Sequence, residues 1–229
     1  MRIVTWNCNG AFRRKLAQID ELNADILVIQ ECENPEQHSS EYEIWSGNYL
    51  WAGTNKNRGL GIFVKGDLSI KHLDWCSSDL AQFLPARIND EFDILAVWTK
   101  YANAYGYIGQ FWKYLQMHVA KLNSSSLILG DFNSNTIWDK RGRAWNHSAC
   151  MDELEARGFT SLYHLSVNEA QGQESAPTFH LHRNLQKPYH IDYAFAHRDR
   201  ISTDWTKITI GDPMYWMQFS DHVPLIVDI

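Results

Sequence analysis

The chain has 229 residues, with 21 Lys and Arg against 27 Asp and Glu, giving a formal net charge of −6 at pH 7. Hydrophobic residues at 45% and charged residues at 21% exclude a disordered chain, and no apolar run approaches the ~20 residues that span a bilayer. The acidic balance argues against a binder that relies on many phosphate contacts, but not against an enzyme that grips one phosphate through a metal ion.

The first residues, Met1-Arg2-Ile3-Val4-Thr5-Trp6, lack the apolar segment and small-residue cleavage site of a secretory signal. Cys8, Cys32, Cys76 and Cys150 form no CxxC pair and none of the usual zinc spacings. Free thiols in a reducing cytoplasm are therefore expected.

In chain order, short runs rich in β-branched and aromatic residues predict strands at 2–6, 25–29, 49–52, 60–64, 68–73, 83–88, 92–98, 126–129, 177–180, 190–196, 205–210 and 223–227. Helical periodicity marks 13–22, with Leu16, Ile19 and Leu22 on one face, and 108–122, with Phe111, Leu115, Val119 and Leu122. A third helix, 148–157, is closed by Gly158. Several strands follow one another without an intervening helix, so much of the sheet should be antiparallel. Two sheets packed face to face, with helices outside, fit this inventory as one domain over 1–229. Ten Trp, ten Tyr and ten Phe exceed what a core needs, so some should face a cleft.

Acids and amides gather where the apolar strands end. Asn7 and Asn9 follow the first strand, and Glu31 follows Ile26-Leu27-Val28-Ile29-Gln30. Asp131 and Asn133 close Leu127-Ile128-Leu129-Gly130, Asp192 sits in Ile191-Asp192-Tyr193, and Asp221-His222 precede the last strand. A strand ending in a carboxylate holds that group on a rigid scaffold within reach of solvent. Each instance alone also suits a turn or a cap. Oxygen donors without clustered Cys or paired His suit Mg²⁺ or Mn²⁺ better than Zn²⁺.

Trp6-Asn7-Cys8-Asn9-Gly10, Gln30-Glu31, Gly130-Asp131-Phe132-Asn133, Ile191-Asp192-Tyr193 and Ser220-Asp221-His222-Val223-Pro224 stand in the order and spacing of one family. From residue 3 to 228 the chain resembles the endonuclease/exonuclease/phosphatase superfamily. The resemblance implies an α+β fold, a four-layer αββα sandwich of two mostly antiparallel mixed sheets, with the site at one open edge. It implies a Mg²⁺ (or Mn²⁺) site on Asn7, Glu31 and Asp221. It assigns Asp131 and Asn133 to the attacking water and the phosphate, and Asp192 and His222 to an Asp–His pair in which the imidazole is either a donor to the phosphate or a base. Asn9 would lie beside the metal and the phosphate.

The chain departs from the family at Trp98, which falls where relatives carry Tyr or His; Lys100 or Tyr101 would then supply the phosphate contact. Phe179 and Tyr189 fall where the abasic-site subgroup places pocket aromatics, although the Gly-Trp-Arg signature of that subgroup is replaced by Pro188-Tyr189-His190. Arg58, His180, His182 and Arg183 are candidates for the rim, and Trp138 and Trp145 flank Lys140-Arg141-Gly142-Arg143. The expected function is a Mg²⁺-dependent phosphodiesterase acting as a nuclease on nucleic acid, DNA ahead of RNA, as a monomer without a membrane partner. The alternatives are the same chemistry on a small phosphorylated molecule or lipid headgroup, and a non-enzymatic binding module.

Overall fold

The computed structural model describes residues 1–80, 82–101, 105–202 and 206–229. Strand β1 (Arg2–Asn7) passes through a helical turn into α1 (Leu16–Asp20) and returns as β2 (Ile26–Cys32); α2 (Ser40–Ser46) then leads to the hairpin β3 (Asn48–Asn55) and β4 (Arg58–Val64). The second half begins with β5 (Ile70–His72), β6 (Gln82–Ile88) and β7 (Phe92–Trp98), crosses by α3 (Gly106–His118) to β8 (Ser126–Asp131), and continues through α4 (His147–Ala156), β9 (Phe159–Ser161) and α5 (Leu162–Val167). A ribbon of β10 (Phe179–His180) and β11 (Pro188–Tyr189) precedes β12 (Asp192–His197), and β13 (Lys207–Ile210), α6 (Pro213–Trp216) and β14 (Leu225–Asp228) close the chain.

The strands form two mixed six-stranded sheets, ordered β13-β14-β1-β2-β4-β3 and β5-β6-β7-β8-β12-β9. Each contains one parallel pair, β1 with β2 and β7 with β8, while the other neighbours are antiparallel. Parallel neighbours need a crossover, supplied by α1 in one sheet and α3 in the other. The carboxyl ends of each parallel pair therefore leave the sheet on the same side, together with the amino ends of their antiparallel neighbours.

Period-two alternation sorts the side chains into layers. Ile3, Val28 and Ile62 face inward against Ala86, Ile94, Leu127 and Ala194 of the other sheet. On the outside, Val4, Trp6, Leu27 and Phe63 pack against Phe12, Ile19, Tyr42 and Trp216, and Leu95, Val97, Ile128 and Phe195 pack against Phe111, Leu115, Cys150 and Leu154. Helices thus cover both outer faces, the αββα order expected from the sequence. Full burial of one such Trp, Phe or Leu contributes about 1.5–3 kcal/mol, and many rings are used this way: Trp6 meets Trp216 edge-on at 5.1 Å, and Phe12 meets Trp45 at 5.4 Å.

The differences from expectation fall on short elements. Strands β9 and β11 and helices α2, α5 and α6 were not anticipated; two to seven residues are too few for a period to register. The 177–180 strand contracts to Phe179–His180, and Trp205, at the start of the 205–210 strand, lies outside the described residues. All four cysteines are free, with Cys76 exposed and the others buried. No described helix is long and apolar enough to cross a membrane.

Candidate active site

The site forms where the two sheets bring their strand ends together. Strand β1 ends on Asn7, whose Oδ1 accepts from the Asn9 backbone N–H at 3.0 Å, with Asn9 in the left-handed region at φ 53°. Strand β2 carries a bulge: its register against β4 slips between Gln30 and Cys32, and Glu31 between them takes φ 64°. The bulge breaks the alternation and turns the Glu31 carboxylate out of the sheet, while Gln30 stays buried and donates to Thr5 Oγ1 at 3.0 Å. Strand β8 ends on Gly130-Asp131. Gly130 has φ 146°, and a Cβ there would collide with the Val97 carbonyl of the adjoining β7. Asp192 opens β12 directly opposite Asp131.

Short hydrogen bonds bind these ends into one group. Asn7 Nδ2 donates to Asp131 Oδ2 at 2.9 Å, across the two sheets, and to Glu31 Oε1 at 3.4 Å. Asn133 donates its backbone N–H to Asp131 Oδ1 at 2.8 Å, and its Nδ2 to Asp131 Oδ2 at 2.7 Å and to the Thr99 carbonyl at 3.1 Å. His222 Nδ1 lies 2.9 Å from Asp192 Oδ2, both residues being buried. Ligand atoms of Asp131, Asp192 and His222 all lie within 4.8 Å of one another.

The backbone that carries the imidazole is fixed by three hydrogen bonds. The His222 backbone N–H donates to Ser220 Oγ at 3.1 Å, Ser220 Oγ donates to the Asn7 carbonyl at 2.7 Å, and Trp6 Nε1 donates to the His222 carbonyl at 3.0 Å. Asp192 is fixed in turn by Thr178, whose Oγ1 accepts the N–H groups of Ile191 and Asp192, each at 3.0 Å. With Nδ1 committed to Asp192, Nε2 is the nitrogen that can address a substrate.

Burial and charge shift Asp131 and His222 together. Burial and the neighbouring Asp192 hold the Asp131 carboxyl above the ordinary carboxylate range, against the pull of His222, Asn7 and Asn133. Burial disfavours the charged imidazole of His222, yet the carboxylates of Asp192, Asp131 and Asp221 outweigh it and raise its pKa. The result is an imidazolium surrounded by acids, one of which retains its proton more readily than a free carboxylate does.

The donor set fits a hard divalent cation. Asp192 Oδ1 is buried without a hydrogen-bond partner, and Glu31 Oε2 holds the Arg58 guanidinium, with Nη2 at 2.9 Å. The unpartnered Asp192 oxygen and the arginine that Glu31 recruits, rather than the Asp131 shift, whose larger cause is burial, are what suit the site to a cation.

The model of the Endonuclease/Exonuclease/phosphatase family matches residues 4–222. The chain belongs to this family. A 3'-5' exonuclease from Neisseria meningitidis is 16% identical with a TM-score of 0.68, covering 99% of this chain and 98% of its own. An AP endonuclease from Archaeoglobus fulgidus is 18% identical with a TM-score of 0.69 and the same coverage. The endonuclease domain of TRAS1, a telomere-specific non-LTR retrotransposon, is 15% identical with a TM-score of 0.68, covering 100% of this chain and 97% of its own. No curated protein sequence matches.

Of the residues that family resemblance singled out, Asn7, Glu31, Asp131, Asn133, Asp192 and His222 meet as described. The Asp221 carboxylate, among the described residues, receives Ser220 Oγ at 3.4 Å. Asn9 serves the turn after β1, and Arg58 faces Glu31. Phe179 lies with its ring 4.6 Å from that of His222 and 6.3 Å from that of Tyr189. Tyr101 is exposed at the margin of a cleft. Trp98 is a correction: it is only 4% exposed, packed in the core between the sheets, because β7 register points its ring inward. Lys100 Nζ lies over that ring at 3.9 Å. The positioning residues Thr99, Thr178 and Ser220 were not foreseen; Ser220 stood within a quoted motif, whereas Thr99 and Thr178 gave no sequence signal.

Proposed function

We propose that the chain is a metal-assisted phosphodiesterase that hydrolyses nucleic acid by attack of water, DNA ahead of RNA, as a monomer. The observation that carries this reading is the buried Asp192–His222 pair at 2.9 Å, gathered within 4.8 Å of Asp131. A phosphodiester is negative and gains charge on its non-bridging oxygens in the transition state. Catalysis therefore calls for positive groups at those oxygens and a base at the water.

His222, held as imidazolium by Asp192, donates from Nε2 to a non-bridging oxygen. Asp131, with its pKa raised, takes the proton of the attacking water near neutral pH. Asn7 and Asn133 orient Asp131 by donating to its two oxygens. Both amide hydrogens of Asn133 are already given to Asp131 and Thr99, so Asn133 acts by fixing that carboxylate rather than by touching the phosphate. Glu31, Asn7 Oδ1 and Asp221 would hold Mg²⁺ or Mn²⁺. When bound, such an ion supplies charge neutralisation at the phosphate and a lower pKa for water.

The nucleic-acid substrate is supported by the descriptions of the neighbours, one of them a Neisseria 3' phosphatase bound to a product DNA hairpin, at 16% identity and a TM-score of 0.67. The test offers plasmid, single-stranded DNA, abasic duplex, RNA and bis(4-nitrophenyl) phosphate to the purified chain with Mg²⁺, Mn²⁺ or EDTA. Cleavage of a polymer that EDTA abolishes is the expected result. Turnover of the ester alone would move the substrate to small phosphodiesters, and inactivity on every substrate would overturn the reading.

A further inference from the structure

Beside Asn133 and Phe179 the surface opens into a cleft of about 600 Å³, within the roughly 300–1,000 Å³ typical of sites for small organic groups. Two sets of rings meet at it, with Phe179 and Trp138 of the first and Tyr101, Tyr105, Tyr107 and Trp145 of the second in its lining. One is a ladder leading away from the imidazole: His222 to Phe179 at 4.6 Å, Phe179 to Tyr189 at 6.3 Å, and Tyr189 to Trp138 at 5.2 Å. The other lies around the start of α3, where Tyr101 meets Tyr107 at 6.0 Å and Tyr105 meets Trp145 at 6.1 Å. Arg143 stacks its guanidinium 3.9 Å over Trp145, and Lys140 also lines the cleft. Trp138 is 47% exposed, Tyr101 77% and Tyr107 45%. Exposed rings gathered at a concave surface, continuous with a catalytic group and flanked by two cations, mark a site for a flat group next to a phosphate.

We propose that this cleft takes one intact, unstacked nucleobase of the strand being cut, which makes single-stranded or frayed nucleic acid the substrate class. The inference rests on the nuclease reading and deepens it. An abasic sugar offers no π-face to these rings, whereas every base does. In a paired duplex both faces of a base are covered, and extruding it costs a few kcal/mol. Lys140 and Arg143, which line the cleft, serve a footprint of one or two phosphates beyond the scissile one.

The experiment compares a short fluorescein-labelled oligothymidylate with a tetrahydrofuran backbone of equal length and charge that carries no bases. Binding is read by anisotropy in EDTA, without hydrolysis, for the unmodified protein, Trp138→Ala and Trp138→Phe. The unmodified protein should prefer the base-bearing strand by about tenfold, the scale of one stacked base. Trp138→Ala should reduce that preference several-fold, and Trp138→Phe should retain most of it. The logarithm of affinity should fall with the logarithm of salt with a slope of about −1.4 to −2.1, for two or three phosphates on a single strand. Equal binding of both strands by the unmodified protein, or a preference unchanged in Trp138→Ala, overturns the proposal. Failure of the nuclease reading shows separately, as base-dependent binding with no cleavage when Mg²⁺ or Mn²⁺ is added.

Discussion

Arg58 Nη2 lies 2.9 Å from Glu31 Oε2, on a carboxylate whose other oxygen accepts Asn7 Nδ2 at 3.4 Å. Arg58 begins β4 at the turn of the β3–β4 hairpin, and Glu31 sits on the bulge of β2. The guanidinium therefore provides, within the fold, a positive charge at the carboxylate proposed to hold the metal. Arg58 and a divalent ion compete for that carboxylate. Arg58→Gln is expected to tighten Mn²⁺ binding about fivefold, since a half-exposed ion pair is worth at most ~1 kcal/mol. Calorimetric or spin-resonance titration of Mn²⁺ measures it, and an unchanged affinity would rule out the competition.

Asp131→Asn removes the group assigned to the water, and His222→Ala removes the donor assigned to the phosphate. Each is expected to lower kcat on bis(4-nitrophenyl) phosphate by at least about 10², the scale for a positioned acid–base group. Steady-state kinetics with circular dichroism as a folding control reads the outcome. Near-normal rates in both variants would refute the roles.

Behind the site, His147 is buried between Ser134 Oγ at its Nδ1 and Gln171 Oε1 at its Nε2, each at 3.2 Å. Burial lowers its pKa to about 4, against the weaker pull of Gln171 and nearby acids. An unfolded histidine takes up a proton near pH 6.5, which the folded one refuses until about pH 4. Stability is therefore lost as pH falls through that window, by up to about 3 kcal/mol from this residue. Urea unfolding at several pH values between 7.5 and 4.5 should show a shallower loss in His147→Gln than in the unmodified protein. Identical slopes would contradict the assignment.

Gly130→Ala places a Cβ against the Val97 carbonyl at a φ that L-residues avoid. Because both strands are central to their sheet, neither can retreat, and a cost of at least about 3 kcal/mol is expected. That corresponds to a fall in Tm of roughly 6–12 °C for a chain of this size. Thermal unfolding followed by circular dichroism checks it.

Much of this architecture is legible along the chain, because a strand declares itself within a few residues: the apolar runs at 2–6, 92–98 and 126–129 follow from one face meeting the other sheet while the opposite face meets a helix. The polar termini of those strands were readable for the same reason, an acid or amide standing out where an apolar run stops. Elements of two or three residues, such as β9 and β11, hold no repeat of the two-residue strand period and acquire their conformation only from the strands they pair with. The side-chain partnerships are a different matter. That Asn7 donates to Asp131, that Asn133 has no amide hydrogen to spare, that Trp98 turns inward and that Arg58 meets Glu31 all depend on the register and face of strands brought together from distant parts of the chain. A shift of one residue in any of those pairings would reverse which side chains face the site, and nothing local to the residues themselves encodes that choice.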